Sequence, residues 1–330
     1  MPVAAPERLK GQSHLTYFQQ LSLYIPPPLS RFAMKTSPII LAFAILAVQA
    51  HPSPVKRDAA IDDGIILNFA LTLEHLENAF YKGGLAKYDE KAFVAAGLPP
   101  WARGRFSQIA GHEEAHVNFL TSALGDKATK PCTYKFPYAD PKSFAALSQV
   151  LEGVGVSAYL GAAQFIENKS YLTAAASVLT TEARHASWVA SAVGRGSGWS
   201  GALDVPLTLN AVYTLAASFI ESCPSTNPPL PVKAFPALIF AARATPGSLS
   251  TITFESSVPA STPLFTVFFT GLSQKVVPIM DGNSVTLPAD LVGVVYAVVS
   301  TSDTTATDEN IIAGPVILNF GFDSNGQLVK

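Results

Sequence analysis

Between residues 61 and 222, apolar positions recur at three- and four-residue steps. From about residue 235 they come instead in short β-branched and aromatic runs divided by turn residues. The first pattern predicts five helices. Ile65, Ile66, Phe69, Leu73, Leu76 and Phe80 line the first, capped by Asp62 or Asp63 and stopped at Gly83-Gly84 after Tyr81. Phe106, Ile109, Ala110, Val117 and Leu120 line the second, Trp101 to Leu124, which closes at Gly125. Residues 85–100 connect the two and contain a short helix. The third opens at Ser143 and carries Phe144, Leu147, Leu151, Val154 and Tyr159 to about Glu167. The fourth runs from about Tyr171 to Val193 and the fifth from about Val205 to Glu221. The second pattern includes Thr251 to Phe254, Leu264 to Phe269, Leu291 to Val299 and Val316 to Phe320, with a tight turn at Asp281-Gly282. It predicts a small all-β domain of sandwich type, which contains no histidine or cysteine and no catalytic constellation.

Composition narrows the class. A chain of 330 residues holds about two domains and a sizeable core. Charged residues are 14%, well below the usual quarter, and the net charge of −2 excludes a globally basic nucleic-acid binder. No apolar run in the body reaches the length of a membrane span. Met34-Lys35-Thr36, an apolar run from Pro38 to Val48 and small residues at Val48 and Ala50 form a secretory signal pattern. The expected organisation is a gene-model extension over 1–33, a signal peptide over 34–50 and a linker or pro-segment over 51–60 with Lys56-Arg57. A helical bundle over 61–224, a proline-rich linker over 225–234 and the β domain over 235–330 follow. An exported chain meets an oxidising compartment, so Cys132 and Cys223 are expected to pair. Asn168-Lys169-Ser170 is a glycosylation sequon in a predicted turn.

The apolar stripe of the second helix is interrupted by Glu113 and His116. Three residues rotate a helix by about 300°, so the two side chains share one face. Buried there, they are costly unless compensated. The same stretch, His112-Glu113-Glu114-Ala115-His116, spells the zinc-protease signature, with His112 and His116 as ligands and Glu113 as base. Phe119 and Ser122 stand where the extended protease form needs Gly and His, and no sheet precedes the helix. That alternative also leaves a second Glu-x-x-His, Glu182 to His185, without a role. Read together, the helices offer Glu74, Glu113 with His116, Glu152, and Glu182 with His185. A Glu from each of two helices and Glu-x-x-His from each of two others is the donor set of dinuclear carboxylate bundles. Four carboxylates balance two divalent cations, and such ligands suit Fe or Mn, with zinc not excluded by ligand type. The link between helices two and three, Asp126 to Lys142, spans roughly 55 Å when extended. A 24-residue helix is about 36 Å long, so this link has the reach of a crossover that leaves helices two and three parallel.

These features resemble the ferritin-like superfamily over residues 60–222, and more narrowly its secreted desiccation-related and fungal stress-response members. The resemblance rests on Leu71-Thr72-Leu73-Glu74-His75-Leu76-Glu77-Asn78-Ala79-Phe80-Tyr81, on Gly111-His112-Glu113-Glu114-Ala115-His116 and on Thr181-Glu182-Ala183-Arg184-His185. It implies a ferritin-like four-helix bundle with a fifth helix, mainly α, followed by the sandwich-type β domain. It implies a site for two Fe or Mn ions held by Glu74, Glu113, His116, Glu152, Glu182 and His185. Oxygen or peroxide would react there, or Fe(II) be oxidised. The Glu-x6-Tyr spacing favours Glu74 as the ligand and places Tyr81 near the metals, with Glu77 behind them. His75, His112, Glu114 and Glu167 are expected at the surface or behind the ligands, Arg184 beside a spare carboxylate such as Glu77, and Trp101 and Trp188 in packing. The signal peptide and appended β domain depart from true ferritins and argue against a storage cage. The alternative is a non-catalytic secreted structural or stress-protective protein with a relic bundle core.

Overall fold

A computed structural model describes residues 61–329. The expectations for residues 1–60, the signal segment and dibasic pair included, lie outside the described residues. The helices are α1 (Asp63–Lys87), α2 (Glu90–Ala95), α3 (Ala102–Leu124), α4 (Pro141–Ala162), α5 (Lys169–Trp188) and α6 (Leu209–Ala217). Side chains cap most of their amino ends. Asp62 accepts from the Ile65 amide, Asn168 from Ser170, and Thr208 from Ala211. Asp140 and Ser143 form a reciprocal box that starts α4 at Pro141, two residues before the predicted start.

Three predicted boundaries shift for identifiable reasons. Gly83-Gly84 does not end α1, which continues to Lys87. A Cβ on Gly84 would lie 2.2 Å from the Phe144 ring, so this glycine serves close packing and is not a stop. The helix α5 continues through Val189–Val193 as a π-helical turn, so its helical path ends at Val193 as expected. The fifth predicted helix shortens at both ends. Pro206 disfavours helix at Val205, Leu207 donates its amide to the Ser157 carbonyl at 3.1 Å, and the chain leaves α6 as a short strand.

Contacts along α1 give the bundle its topology. Its start touches the turn between α4 and α5, where the Glu167 and Asn168 amides donate to Asp63. Its far end meets the start of α3, where Arg103 donates to the Leu85 and Tyr88 carbonyls, and the start of α4 through Phe144. The link between α3 and α4 tracks the whole of α1. Thr129 donates to Asn68 at one end, and Tyr138 lies against Gly83 and Tyr88 at the other. Thus α3 and α4 both run antiparallel to α1, and α5 runs with it. The long link is the expected crossover. Midway it forms β1 (Thr133–Tyr134), paired with β2 (Ile220–Ser222), and the adjacent Cys132–Cys223 disulfide ties it to the exit of α6. Phe80, Tyr81, Phe93, Phe106 and Phe144 fill one end of the bundle and are fully buried.

Two antiparallel sheets follow. One orders β3 (Leu238–Phe240), β4 (Leu249–Phe254) and β7 (Ser284–Thr286) as β3-β4-β7. The other orders β5 (Phe265–Thr270), β6 (Ser273–Pro278), β8 (Gly293–Ser300) and β9 (Ile311–Phe320) as β6-β5-β8-β9. Asp281 and Gly282 take positive φ in the turn before β7. Successive side chains of β8 point to opposite faces. Val295, Ala297 and Val299 fill the core between the sheets, whereas Tyr296 enters the bundle core and bonds Ser157 Oγ at 3.1 Å. The β region is thus packed onto α4. No described helix is long and apolar enough to cross a membrane.

Candidate metal centre

Midway along the bundle, the four long helices turn polar side chains inward. Glu74 projects from α1, Glu113 and His116 from α3, Glu152 from α4, and Glu182 and His185 from α5. The four carboxylates are fully buried and His185 nearly so. They form two overlapping groups: Glu74, Glu113, His116 and Glu182, and Glu113, Glu152, Glu182 and His185. Within each group the donor atoms lie within 4.8 Å of one another. All six residues expected as ligands therefore come together. Glu113 and Glu182 belong to both groups, a sharing that no spacing in the chain displays.

Both imidazoles turn Nδ1 into the cluster. His116 Nδ1 lies 3.2 Å from Glu74, 3.3 Å from Glu113 and 3.1 Å from Glu182. His185 Nδ1 lies 3.1 Å from Glu152 and 3.3 Å from Glu113. The outer nitrogen of His185, Nε2, faces His112 Nδ1 at 2.9 Å, with the two rings stacked. His112 belongs to neither group. The protease-type pairing of His112 with His116 therefore fails, and Glu113 is turned among the donors instead of serving as a free base. His112 instead backs His185 from outside the cluster.

Two tyrosines complete the shell. Tyr81 on α1 donates to Glu152 on α4 and also contacts Ser148 Oγ at 2.7 Å. Tyr159 on α4 donates to Glu74 on α1. The exchange is crosswise: each helix's tyrosine holds the other helix's glutamate. Sequence reasoning placed Tyr81 here and assigned Tyr159 to the apolar face. The signal was present, because Glu152 and Tyr159 repeat the spacing of Glu74 and Tyr81.

Glu77 is a fifth buried carboxyl, and its oxygen lies against the same side of Gly155 as Glu182. The other expectations resolve at the surface or at the crossover. His75 meets the Thr129 carbonyl at 3.1 Å and so anchors the link. Glu114 pairs with Lys82 in solvent. Exposed Arg184 donates to Thr181 and not to Glu77. Trp101 and Trp188 pack 6.0 Å apart. Asn168 is exposed, though its carbonyl oxygen caps α5.

Charge makes this interior costly without cations. Burial, then repulsion from Glu182, Glu113, Glu152 and Glu74, holds the Glu77 carboxyl well above its usual range. Burial and the neighbouring Glu152 do the same to Glu182. Burial and Glu182 push Glu113 up to about 7, despite hydrogen bonds from His116 and His185. Burial alone would lower the two imidazoles. Hydrogen bonds to Glu113, Glu182 and Glu74 overcome it and push His116 up to about 12, while Glu113 and Glu152 push His185 to about 10. Protons thus stand in for cations. Even so, Glu113 Oε1 and both oxygens of Glu182 are buried without a well-aligned hydrogen bond, although His185 Nδ1 lies 3.3 Å from Glu113 Oε1 and His116 Nδ1 3.1 Å from Glu182 Oε1. An orphaned buried oxygen costs about 1–3 kcal/mol, more when charged. These oxygens fall on the two glutamates common to both groups, which are therefore the ones left with capacity for a cation. The donor set therefore fits metal ions.

Comparison with known proteins agrees with this geometry. Residues 62–195 match the family model described as a ferritin-like domain. Protein rds1 of Schizosaccharomyces pombe (strain 972 / ATCC 24843) is 26% identical over 186 residues, covering 56% of this chain and 46% of that protein. The match thus spans under half of that relative's length. All six inward donors, with His112, Tyr81 and Tyr159, fall inside the matched segment. Residues 62–195 thus make up a ferritin-like domain.

Proposed function

We propose that the bundle holds two Fe or Mn ions and that the protein is an exported ferritin-like protein acting on oxygen, peroxide or Fe(II) under stress. Glu74 and His116 would hold one ion, Glu152 and His185 the other, with Glu113 and Glu182 shared. The observation that carries the reading is the convergence of two buried donor groups on a shared pair of glutamates, three of whose oxygens lack a well-aligned hydrogen bond. Once bound, such ions supply one-electron chemistry that carboxylates and imidazoles lack. The chain's own residues prepare the setting. Tyr81 and Tyr159 fix the outer glutamates by donating to them. His185, whose Nδ1 faces the donor group, would carry its proton on Nε2 and donate it to His112 Nδ1 when it holds an ion. Burial and the neighbouring carboxylates favour the protonated form of Glu77. Export is supported by the Met34 to Ala50 pattern and by the disulfide. The stress role rests on the sequence resemblance.

Metal analysis after aerobic loading with Fe(II) or Mn(II) tests the reading. Close to two ions per chain are expected in the native protein and none in the Glu113→Ala/Glu182→Ala double variant. A native protein that takes up no metal sinks the proposal and favours the structural, non-catalytic alternative.

A further inference from the structure

A cavity of about 570 Å³ opens between α3 and α5, and its lining includes both His116 and His185. It is the described cavity that meets imidazoles of both donor groups. Its wall carries Arg105 and Arg184, with His112 and Trp188, and no carboxylate. Neither guanidinium is neutralised. Arg105 donates to Gln108 at 2.7 Å and Arg184 to Thr181 at 3.0 Å, both neutral acceptors, and neither forms an ion pair among the described residues. The nearest acid on the α3 surface by sequence, Glu114, is taken by Lys82 at 2.8 Å. Another cavity, about 150 Å³, reaches Glu77 and is otherwise mostly apolar, without a cation.

A mouth with two fixed positive charges and no negative ones raises the local concentration of anions and repels divalent cations. Within the dinuclear reading, on which this step rests, that bears on what reaches the centre in turnover. We propose that this cavity is a cationic vestibule through which small inorganic anions, a reduced oxygen species being of that class, approach the centre, and that it is not an entry for Fe(II) cargo. Arg105 and Arg184 are specificity-determining residues. They touch neither donor group through any hydrogen bond, so their removal leaves the six inward side chains in place. Gln at both positions keeps the length and polarity of the wall and deletes only the charge.

Two measurements test this. The first needs no metal. In a Trp101→Phe/Trp199→Phe background, Trp188 is the remaining tryptophan and reports from the cavity wall. Iodide should quench it more strongly than in the Arg105→Gln/Arg184→Gln form, by about threefold or more at low salt, with quenching by neutral acrylamide unchanged. The second uses iron-loaded protein and follows azide association by its charge-transfer absorbance. The azide on-rate should fall roughly tenfold in the double Gln variant and lose most of its salt dependence, with metal content unchanged. Iodide quenching that ignores the two arginines overturns the vestibule. A fall in iodide quenching beside an unchanged azide on-rate also overturns it, because anions would then gather at the mouth without entering there. A protein that binds no metal defeats the dinuclear reading by metal analysis, and the iodide measurement still decides whether the cavity gathers anions.

Discussion

His112 shows how a residue's role depends on its partner. By spacing it belongs with His116, four residues on. In the fold its Nδ1 instead lies 2.9 Å from His185 Nε2, on another helix. In the proposed metal-bound state, an acceptor there would fix the proton of His185 on Nε2 and leave Nδ1 for the ion. Replacing His112 by Ala should weaken metal binding about 10- to 100-fold, the usual cost of losing such a partner. The bundle itself should stay folded, because His112 is exposed. Competition with a chelator of known affinity measures the change, and an unchanged affinity would show that the contact does not orient His185. Tyr159 teaches the converse. It resembles one more apolar helix position until the crosswise bond to Glu74 is seen.

At the scale of elements, capping residues and apolar periodicity located the helices, and glycines set how closely they pack. Asp62, Asp140, Asn168 and Thr208 all cap helices, as their chemistry dictates. Gly83-Gly84 looked like a terminus because glycine tolerates the left-handed conformation of a helix end. Its actual constraint comes from the Phe144 ring on another helix. Gly161 makes the same point more strongly. A Cβ there would stand 1.8 Å from the Leu207 carbonyl oxygen, a backbone atom held in place by the bond from Leu207 N to Ser157 O. Gly161→Ala should therefore destabilise the protein by about 1–3 kcal/mol, although Ala is the better helix former. Gly111, which a Cβ would leave without any close neighbour, should tolerate Ala or gain slightly. Denaturant midpoints of the two variants check the contrast, and equal midpoints would contradict it.

At the scale of the whole molecule, the buried cluster links folding to pH and to metal. In the metal-free protein Glu113 has a folded pKa of about 7, above its unfolded value, so the folded state binds the extra proton. Its contribution is present below the unfolded pKa and is lost as pH rises through about 7. His116 and His185 are raised as well, to about 12 and about 10, so their stabilisation fades as pH climbs beyond the unfolded imidazole value. These three shifts share one sign, and burial of His75 and His112, which lowers theirs, opposes them only in part. The metal-free protein should melt several degrees lower at pH 9 than at pH 6. Metal ions replace these protons, so affinity should strengthen with pH and binding should release protons. Loaded protein should lose the downward trend. Thermal melts of both forms across that range, with calorimetry in buffers of different ionisation enthalpy, measure the two effects. A metal-free melting temperature that rises with pH would contradict the charge assignment.

The sequence by itself determined which residues face inward and which chemistry they carry. Helical period, capping side chains and two Glu-x-x-His pairs are local properties, set by 3.6 residues per turn and by side-chain type. The reach of the crossover followed from its length, and the change to alternating β pattern after residue 235 followed from residue type. Only the tertiary structure decided which side chains meet. That Glu113 and Glu182 are shared, that Tyr81 and Tyr159 exchange partners, that His112 supports His185, and that Tyr296 enters the helical core all depend on the rotation and separation of helices distant in sequence. Those quantities are fixed by packing of the whole interior, where a single glycine or ring sets the distance, and no local pattern encodes them.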